Sequence, residues 1–218
     1  GEESFIPETD ISTVGVFLVE AIHTEDFTYE FGLRANRDEM DPTNGIAGRN
    51  FSTLSYSGST LWDTNDVVSV GLAYSHSERA PSQEELFSNN NLANIDDCVI
   101  HFATGSCEIG DVTLDEESSD NLELSFYLDL MEMEANVTFF VNKFDDYIYQ
   151  SNIGVEVDEF PVRSYLNSDA DFYGIEADLL YSLSNNWSLR IFGDKVKGTL
   201  EDDTYVPRMP PLRLGSEL

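Results

Sequence analysis

Residues 121–142, with the sequence NLELSFYLDLMEMEANVTFFVN, decide the fold. In their first half the apolar side chains occupy every second position, at Leu122, Leu124, Phe126 and Leu128. In their second half the apolar positions are Val137, Phe139 and Val141. A period of two places these side chains on one face of an extended strand. Two such runs joined by the short segment 130–133 predict a hairpin of long antiparallel strands.

The same alternation recurs along most of the 218 residues. The other runs cover 14–22, 27–34, 54–62, 68–75, 173–181 and 187–193, and a further run begins near residue 213. In the first run we expect Gly15, Phe17, Val19 and Ala21 to share one face. No amphipathic helix of useful length interrupts the pattern. The sequence therefore predicts an all-β fold, an antiparallel meander of about nine long strands.

The connections between these runs alternate strictly between short and long. The predicted tight turns are 23–26, 63–66, 130–133 and 184–186, and the predicted long links are 38–50, 81–116, 149–165 and 199–209. A membrane β-barrel sorts its connections in this way, with short turns at one rim and long loops at the other. Trp62 and Trp187 lie beside short turns, where an interfacial aromatic girdle is expected.

Charged residues are nearly absent from the apolar phase of the runs. The opposite phase carries Glu30, Glu123, Glu176, Asp178 and Arg190. In a barrel the two phases face lipid and lumen respectively. The charged residues of the lumen phase would contact an enclosed plug, be hydrated or pair with one another across neighbouring strands.

Composition and charge exclude several classes of protein. A chain that is 41% hydrophobic and 12% aromatic is too apolar to be disordered. A formal net charge of −31 argues against binding nucleic acid and indicates either a solvated acidic surface or attraction of cations. The only cysteines, Cys98 and Cys107, are expected to form a disulfide in an oxidising compartment, with two free thiols as the alternative.

Several ordered motifs resemble the barrel of TonB-dependent receptors. The most specific are residues 77–87, SERAPSQEELF, followed by HFAT at 101–104 and EIGD at 108–111. Three more are residues 114–124, residues 139–149 and the PRMPPLR segment at 207–213, and Asn167, Ala170, Gly174 and Glu176 also fit the family's spacing. The chain departs from the family in an insertion between Phe87 and His101, so ligand contacts cannot be transferred there.

The resemblance implies a 22-stranded barrel closed by an N-terminal plug. We therefore expect residues 1–218 to be a partial barrel domain, an open wall segment without the plug and the flanking strands. It also implies a location in the bacterial outer membrane and energy-coupled uptake of a metal ion, a metal chelate or a similar nutrient. The implied partners are the TonB energy-transducing complex, reached through the plug, the outer-membrane lipid and the nutrient; no cofactor is implied. Zinc receptors look most similar, while ferric-chelate and cobalamin receptors stay open.

The loop at 81–116 contains the candidate ligand-binding residues. These are Asp96, Asp97, His101, Glu108 and Asp111, with Cys98 and Cys107 among them. Carboxylate oxygens are hard ligands for a cation, although a solvated acidic loop explains the same residues. His23 and His76 lie too far along the chain to join His101 in the predicted loop.

The remaining motif residues are expected to have structural roles, and the remaining candidate functions are not enzymatic. We expect Arg79 and Glu85 to shape the base of the loop through Pro81. No Ser/His/Asp order, paired-carboxylate cleft or phosphate loop indicates an enzyme. Two alternatives share the periodic pattern, a passive porin-like channel wall and a soluble β-sandwich binding module.

Overall fold

The computed structural model describes residues 4–43, 45–90 and 92–218, and its main feature is one antiparallel sheet. Its strands are β1 (Thr9–His23), β2 (Phe27–Pro42), β3 (Arg49–Asp63), β4 (Val68–Arg79), β7 (Glu117–Leu130), β8 (Met133–Val157), β9 (Phe160–Ser184), β10 (Trp187–Leu200) and β11 (Arg213–Glu217). Between β4 and β7 lie the helix α1 (Gln83–Phe87), a 3-10 turn (Ile95–Asp97), β5 (Ile100–His101) and β6 (Ser106–Ile109).

In the described residues the sheet has eleven strands. Nine of them lie side by side in chain order, with β4 next to β7, whereas β5 pairs with β6 and β6 pairs in parallel with β9. Among the described residues, β1 and β11 each have a strand neighbour on one side, so the sheet is open. The predicted all-β meander is confirmed. No helix in the described ranges is both long enough and apolar enough to cross a membrane.

One face of the sheet, called the outer face below, carries a continuous apolar band. On β7 its five outward positions counted from the turn are Leu130, Leu128, Phe126, Leu124 and Leu122, followed by Asp120. On β8 they are Met133, Ala135, Val137, Phe139 and Val141, followed by Lys143. On β9 they are Tyr181, Leu179, Ala177, Ile175 and Tyr173, followed by Asp171.

The cross-strand register aligns these positions into rows. Leu124 lies opposite Phe139, and Phe139 lies opposite Ile175. The side chains predicted to face lipid are therefore neighbours across adjacent strands. Nine residues of strand rise about 30 Å, which at a tilt of about 40° gives a band about 23 Å tall. This height matches the apolar band of about 25 Å that transmembrane barrels present to lipid.

The four residues predicted to share one face of β1 do share it, but that face is the inner one and not the lipid-facing one expected for an apolar set. The register sets Phe17 opposite Arg34 and Val19 opposite Gly32, which places the expected apolar set on the polar inner face. The outer face of β1 instead carries Leu18 opposite Leu33. The stretch from Val14 to Val19 is apolar in both phases, so its alternation cannot choose a face, and pairing with β2 decides it.

Two predicted long links are mostly strand. The link at 38–50 shrinks to 43–48, because β2 runs to Pro42 and β3 begins at Arg49. The link at 149–165 is a hairpin whose two-residue turn, Asp158 and Glu159, has φ of 50° and 69°. Beyond the apolar band neither face needs lipid contact, so strand pairing continues there without apolar alternation. The links at 81–116 and 199–209 do lie in the loops between β4 and β7 and between β10 and β11.

The inner face pairs its charges across neighbouring strands. Arg190 on β10 contacts Asp178 on β9 at 2.7 Å and Glu217 on β11 at 3.7 Å. Arg213 contacts Asp194 at 2.6 Å. Glu123 accepts a hydrogen bond from Asn121 on its own strand. Cross-strand ion pairing within the wall thus accounts for Asp178 and Arg190.

Aromatic rings on the inner face cover glycines of the next strand. A Cβ at Gly174 would lie 2.5 Å from Phe140 Cζ, and one at Gly215 would lie 2.2 Å from Phe192 Cζ. Each ring therefore occupies the space that a side chain on the neighbouring strand would need. This close approach is the reason for glycine at both positions.

The buried core lies at the loop end of the sheet. Its largest cluster joins α1 to four strands and the β4–β7 loop, through Met40, Phe51, Leu86, Phe87, Leu114, Ile148 and Tyr165. A second cluster contains Cys98, Cys107, Val157 and Val162, and a third contains Ala170, Leu200 and Val206. Most side chains of the wall segment within the apolar band are exposed or half-buried on both faces, so the well-packed part of this chain is the layer formed by its loops.

Candidate functional site

The loop between β4 and β7 is fixed at its base by one arginine. The Arg79 guanidinium donates to Glu85 on α1 at 2.8 Å and to Glu117 on β7 at 3.1 Å. Glu85 also accepts from the backbone of Ser82, which completes the capping box of α1. Glu117 accepts from the backbone N–H of Ile148 on β8 at 2.8 Å. These contacts support the predicted structural role of Arg79 and Glu85.

A short parallel pairing holds the β4–β7 loop against β9. β6 pairs with residues 162–164 of β9. A disulfide joins Cys98, directly after the 3-10 turn, to Cys107 in β6. Both cysteines pack with Val157 and Val162. The disulfide therefore ties the inserted part of the loop to the strand that docks on β9.

Glu84, His101 and Glu108 converge beside this docked strand. One potential ligand atom from each lies within 4.8 Å of the other two. His101 Nδ1 is 3.1 Å from Glu108 Oε2, and the ring of His101 stacks on Phe5 with centroids 4.4 Å apart. The Tyr165 hydroxyl donates to Glu84 at 3.0 Å. We call these three residues, Glu84, His101 and Glu108, the carboxylate–histidine cluster.

Glu108 is fully buried and extensively hydrogen-bonded. The hydroxyls of Thr104 and Ser106 donate to its Oε1 at 2.6 and 3.1 Å. In the described residues no lysine or arginine forms an ion pair with Glu84 or Glu108. Two adjacent carboxylates with little positive compensation favour uptake of a proton or a cation.

The surroundings of Glu84 and Glu108 shift the pKa values of the two carboxyl groups in opposite directions. Burial raises the pKa of Glu84, and the neighbouring Glu108 raises it further, although the bond from Tyr165 opposes both. Burial alone would raise the pKa of Glu108, but hydrogen bonds from Thr104 and His101 outweigh this effect and lower the pKa. Glu84 therefore takes up a proton before Glu108 does as the pH falls. A cation bound between them has to displace that proton.

The structure brings together only part of the predicted ligand set. His101 lies opposite Ser106 in the β5–β6 pair, and Glu108, two residues further along the same face, contacts the imidazole. Asp96 and Asp97 are exposed on the 3-10 turn. Asp111 accepts from the backbone and hydroxyl of Thr113, so it closes a local turn.

Sequence reasoning missed Glu84. It lies within the same SERAPSQEELF motif that signalled the family, 17 residues before His101. The sequence signal is weak: the apolar pair Leu86 and Phe87 begins two residues after Glu84, and the structure buries both. The fold of the loop decides that it meets His101.

Comparisons with known proteins agree with this geometry. The profile of a family described as "TonB dependent receptor-like, beta-barrel" matches residues 2–217. Among solved structures, "Copper transporter OprC" is similar with a TM-score of 0.78 at 20% identity, over 94% of this chain and 32% of that one. The chain thus spans about a third of that transporter.

Two further structures are similar at low identity. The ferric yersiniabactin uptake receptor FyuA from Yersinia pestis has a TM-score of 0.68 at 16% identity, over 95% of this chain and 31% of that one. The FrpB iron transporter from Neisseria meningitidis, as apoprotein, has a TM-score of 0.65 at 16% identity, over 89% and 27%. At these identities the likeness shows the fold.

Proposed function

The chain belongs to the TonB-dependent receptor β-barrel family, and we propose that it forms part of the wall of a bacterial outer-membrane receptor for energy-coupled nutrient uptake. The observation that carries the proposal is the outer face, where five successive apolar positions on β7, β8 and β9 end in a charged residue. Such a band suits lipid contact on one face of a closed barrel. A soluble β-sandwich would bury that face.

We propose that further strands close the barrel and that a plug domain fills it. This chain covers only about a third of the receptors to which it is similar. In this arrangement the TonB complex acts on the plug, and the loops described here meet the nutrient first. Those similar proteins are described as transporters or receptors for copper, iron and a ferric siderophore.

The carboxylate–histidine cluster supports a role in capturing a divalent transition-metal ion. Imidazole suits zinc, copper and iron, and carboxylates add oxygen ligands. The bond from Thr104 orients Glu108, and the bond from Tyr165 orients Glu84, as outer partners of metal ligands commonly do. Asp96, Asp97 and Asp111 are proposed only as residues that attract cations towards the loop.

Uptake by living cells tests the receptor function. Disrupting the gene should reduce accumulation of radioactive zinc, copper or iron under metal limitation, and collapsing the proton gradient in unmodified cells should have the same effect. Accumulation that depends on the gene but survives loss of the gradient would identify a passive channel. Accumulation that is independent of the gene for all three metals would exclude metal uptake.

Calorimetric titration of the detergent-solubilised protein tests the cluster separately. We expect Glu84→Gln and Glu108→Gln each to weaken Zn²⁺ or Cu²⁺ binding by at least about tenfold, since loss of even an outer partner costs roughly 10–100-fold. The matched control is Asp96→Asn, which removes one carboxylate from the same loop and should change the affinity little. Equal losses in the cluster variants and the control would contradict binding at the cluster.

A further inference from the structure

All three lysines of the chain, Lys143, Lys195 and Lys197, lie on the outer face. Lys143 follows the last apolar position of β8, opposite Asp171. Lys195 and Lys197 lie opposite Ile175 and Tyr173, two positions of the apolar band on β9. A chain with a net charge of −31 thus concentrates its lysines on one small area of its lipid-facing surface.

The three lysines lie at similar depth, near the loop end of the band. Lys143 and Lys197 are each about ten residues from the short turns at which β8 and β10 begin. This is the length of strand that crosses a membrane. Lys195 is one outward position deeper, and its four-carbon stem can extend its ammonium group towards the same boundary.

No close ion pair holds these ammonium groups in the described residues, although Asp171 lies near Lys143 and Asp203 attracts Lys197 electrostatically. The Lys197 ammonium lies 5.5 Å from the ring centres of both Tyr173 and Tyr205. Lys143 contacts Asp171 only at 3.9 Å, and both side chains are largely exposed. In the described part of the chain Lys195 has no ion pair. The exposed contact contributes little energy, so a stronger anion can compete for Lys143.

An apolar groove of about 430 Å³ lies directly beside Lys195. Its outward-facing apolar lining includes Val137, Ile175, Leu179, Ile191, Leu212 and Leu214. The small residues Ala177 and Gly193 lie opposite each other in the same lining, and the Leu214 side chain packs over Gly193. A linear hydrocarbon chain fits such a trough, whereas Lys195 at its upper end, with Lys143 and Lys197 beyond it, fits a phosphate group.

We propose that this surface binds lipid A, the phosphorylated glycolipid of the outer leaflet, with a phosphate between the lysines and an acyl chain in the groove. The inference rests on the outer-membrane location proposed above. The lysines lie on the side of the band that carries the long loops, which is the side of that leaflet. An anionic head group over an apolar tail matches both the charge and the depth of the site.

Native mass spectrometry of the protein in its full natural length tests the proposal. The detergent-solubilised protein is titrated with diphosphoryl lipid A, with dephosphorylated lipid A and with phosphatidylglycerol. Lys195→Gln should weaken binding of diphosphoryl lipid A by roughly fivefold, and further lysine substitutions should multiply the loss. Ala177→Leu, which fills the groove, should weaken both forms of lipid A.

Arg37→Gln is the matched control. Arg37 is a basic residue on the outer face at the corresponding depth of β2, far from the groove and paired with Glu39. An equal effect of Arg37→Gln and Lys195→Gln would overturn the proposal, as would phosphatidylglycerol binding as tightly as lipid A. Unchanged lipid A affinity in the lysine variants of a protein that still takes up its nutrient would refute this inference alone. Nutrient uptake that does not depend on the gene, together with intact lipid A binding, would count against the proposed function instead.

Discussion

Replacing Arg79 by methionine should release the β4–β7 loop without disturbing the wall. Arg79 bridges Glu85 and Glu117, whose side chains are only 15% and 11% exposed, whereas its own is 45% exposed. Breaking a fully buried ion pair costs about 3–5 kcal/mol, and breaking an exposed pair costs about 0–1 kcal/mol. A half-exposed cation between two nearly buried carboxylates falls between these limits, at about 2 kcal/mol.

Hydrogen exchange measures this loss locally. The amide of Leu86 donates to Ser82 at 3.1 Å and that of Ser88 donates to Glu84 at 3.2 Å, so both report on α1. A cost of about 2 kcal/mol raises the open population, and with it the exchange rate, by about 30-fold. Arg79→Lys should give a smaller increase, because it keeps the charge but loses the forked contact.

Two results would refute this reasoning. One is unchanged exchange in α1, which would mean that Arg79 does not hold the loop. The other is equal acceleration in the β7–β8 pairing around Leu124, which would mean that the whole wall had loosened. Arg37→Met is the control, because Arg37 is 65% and its partner Glu39 is 45% exposed, so loss of this surface pair should leave α1 unchanged.

Three further outcomes are expected. Zn²⁺ binding should weaken as the pH falls through the raised pKa of Glu84, hence beginning above 4.5; a calorimetric affinity that is flat down to pH 4.5 would contradict this. Replacing Cys98 and Cys107 by serine should destabilise the loop by about 2–3 kcal/mol, because the disulfide closes a short loop of sequence separation 9; limited proteolysis should then cut between them, and equal resistance would count against it. Gly174→Ala should lower the free energy of unfolding by about 1–3 kcal/mol, because the new Cβ would meet the Phe140 ring and the Lys195 carbonyl. An unchanged melting temperature would contradict this, since it would mean that the Phe140 ring moves aside without cost.

The sequence by itself determined the strands and most of their faces. Leu124 and Phe139 occupy one phase of their runs, while Glu123 and Thr138 occupy the other. A strand with one face in lipid needs this separation, so the requirement is written locally at every second residue. The short turns could be recognised for the same reason, since alternation stops at each of them.

Features that depend on contacts between distant segments required the tertiary structure. Val14 to Val19 is apolar in both phases, so only pairing with β2 shows that Phe17 faces inward. The extension of β8 and β9 past the band shows no regular apolar alternation, because its buried positions, such as Ile148 and Val162, are set by packing against the loops and not by lipid along one face. Glu84 meets His101 and Glu108 because α1 and β6 pack against the same strands, and no local pattern encodes that approach. Periodicity thus determined the wall, and long-range packing determined the loop site.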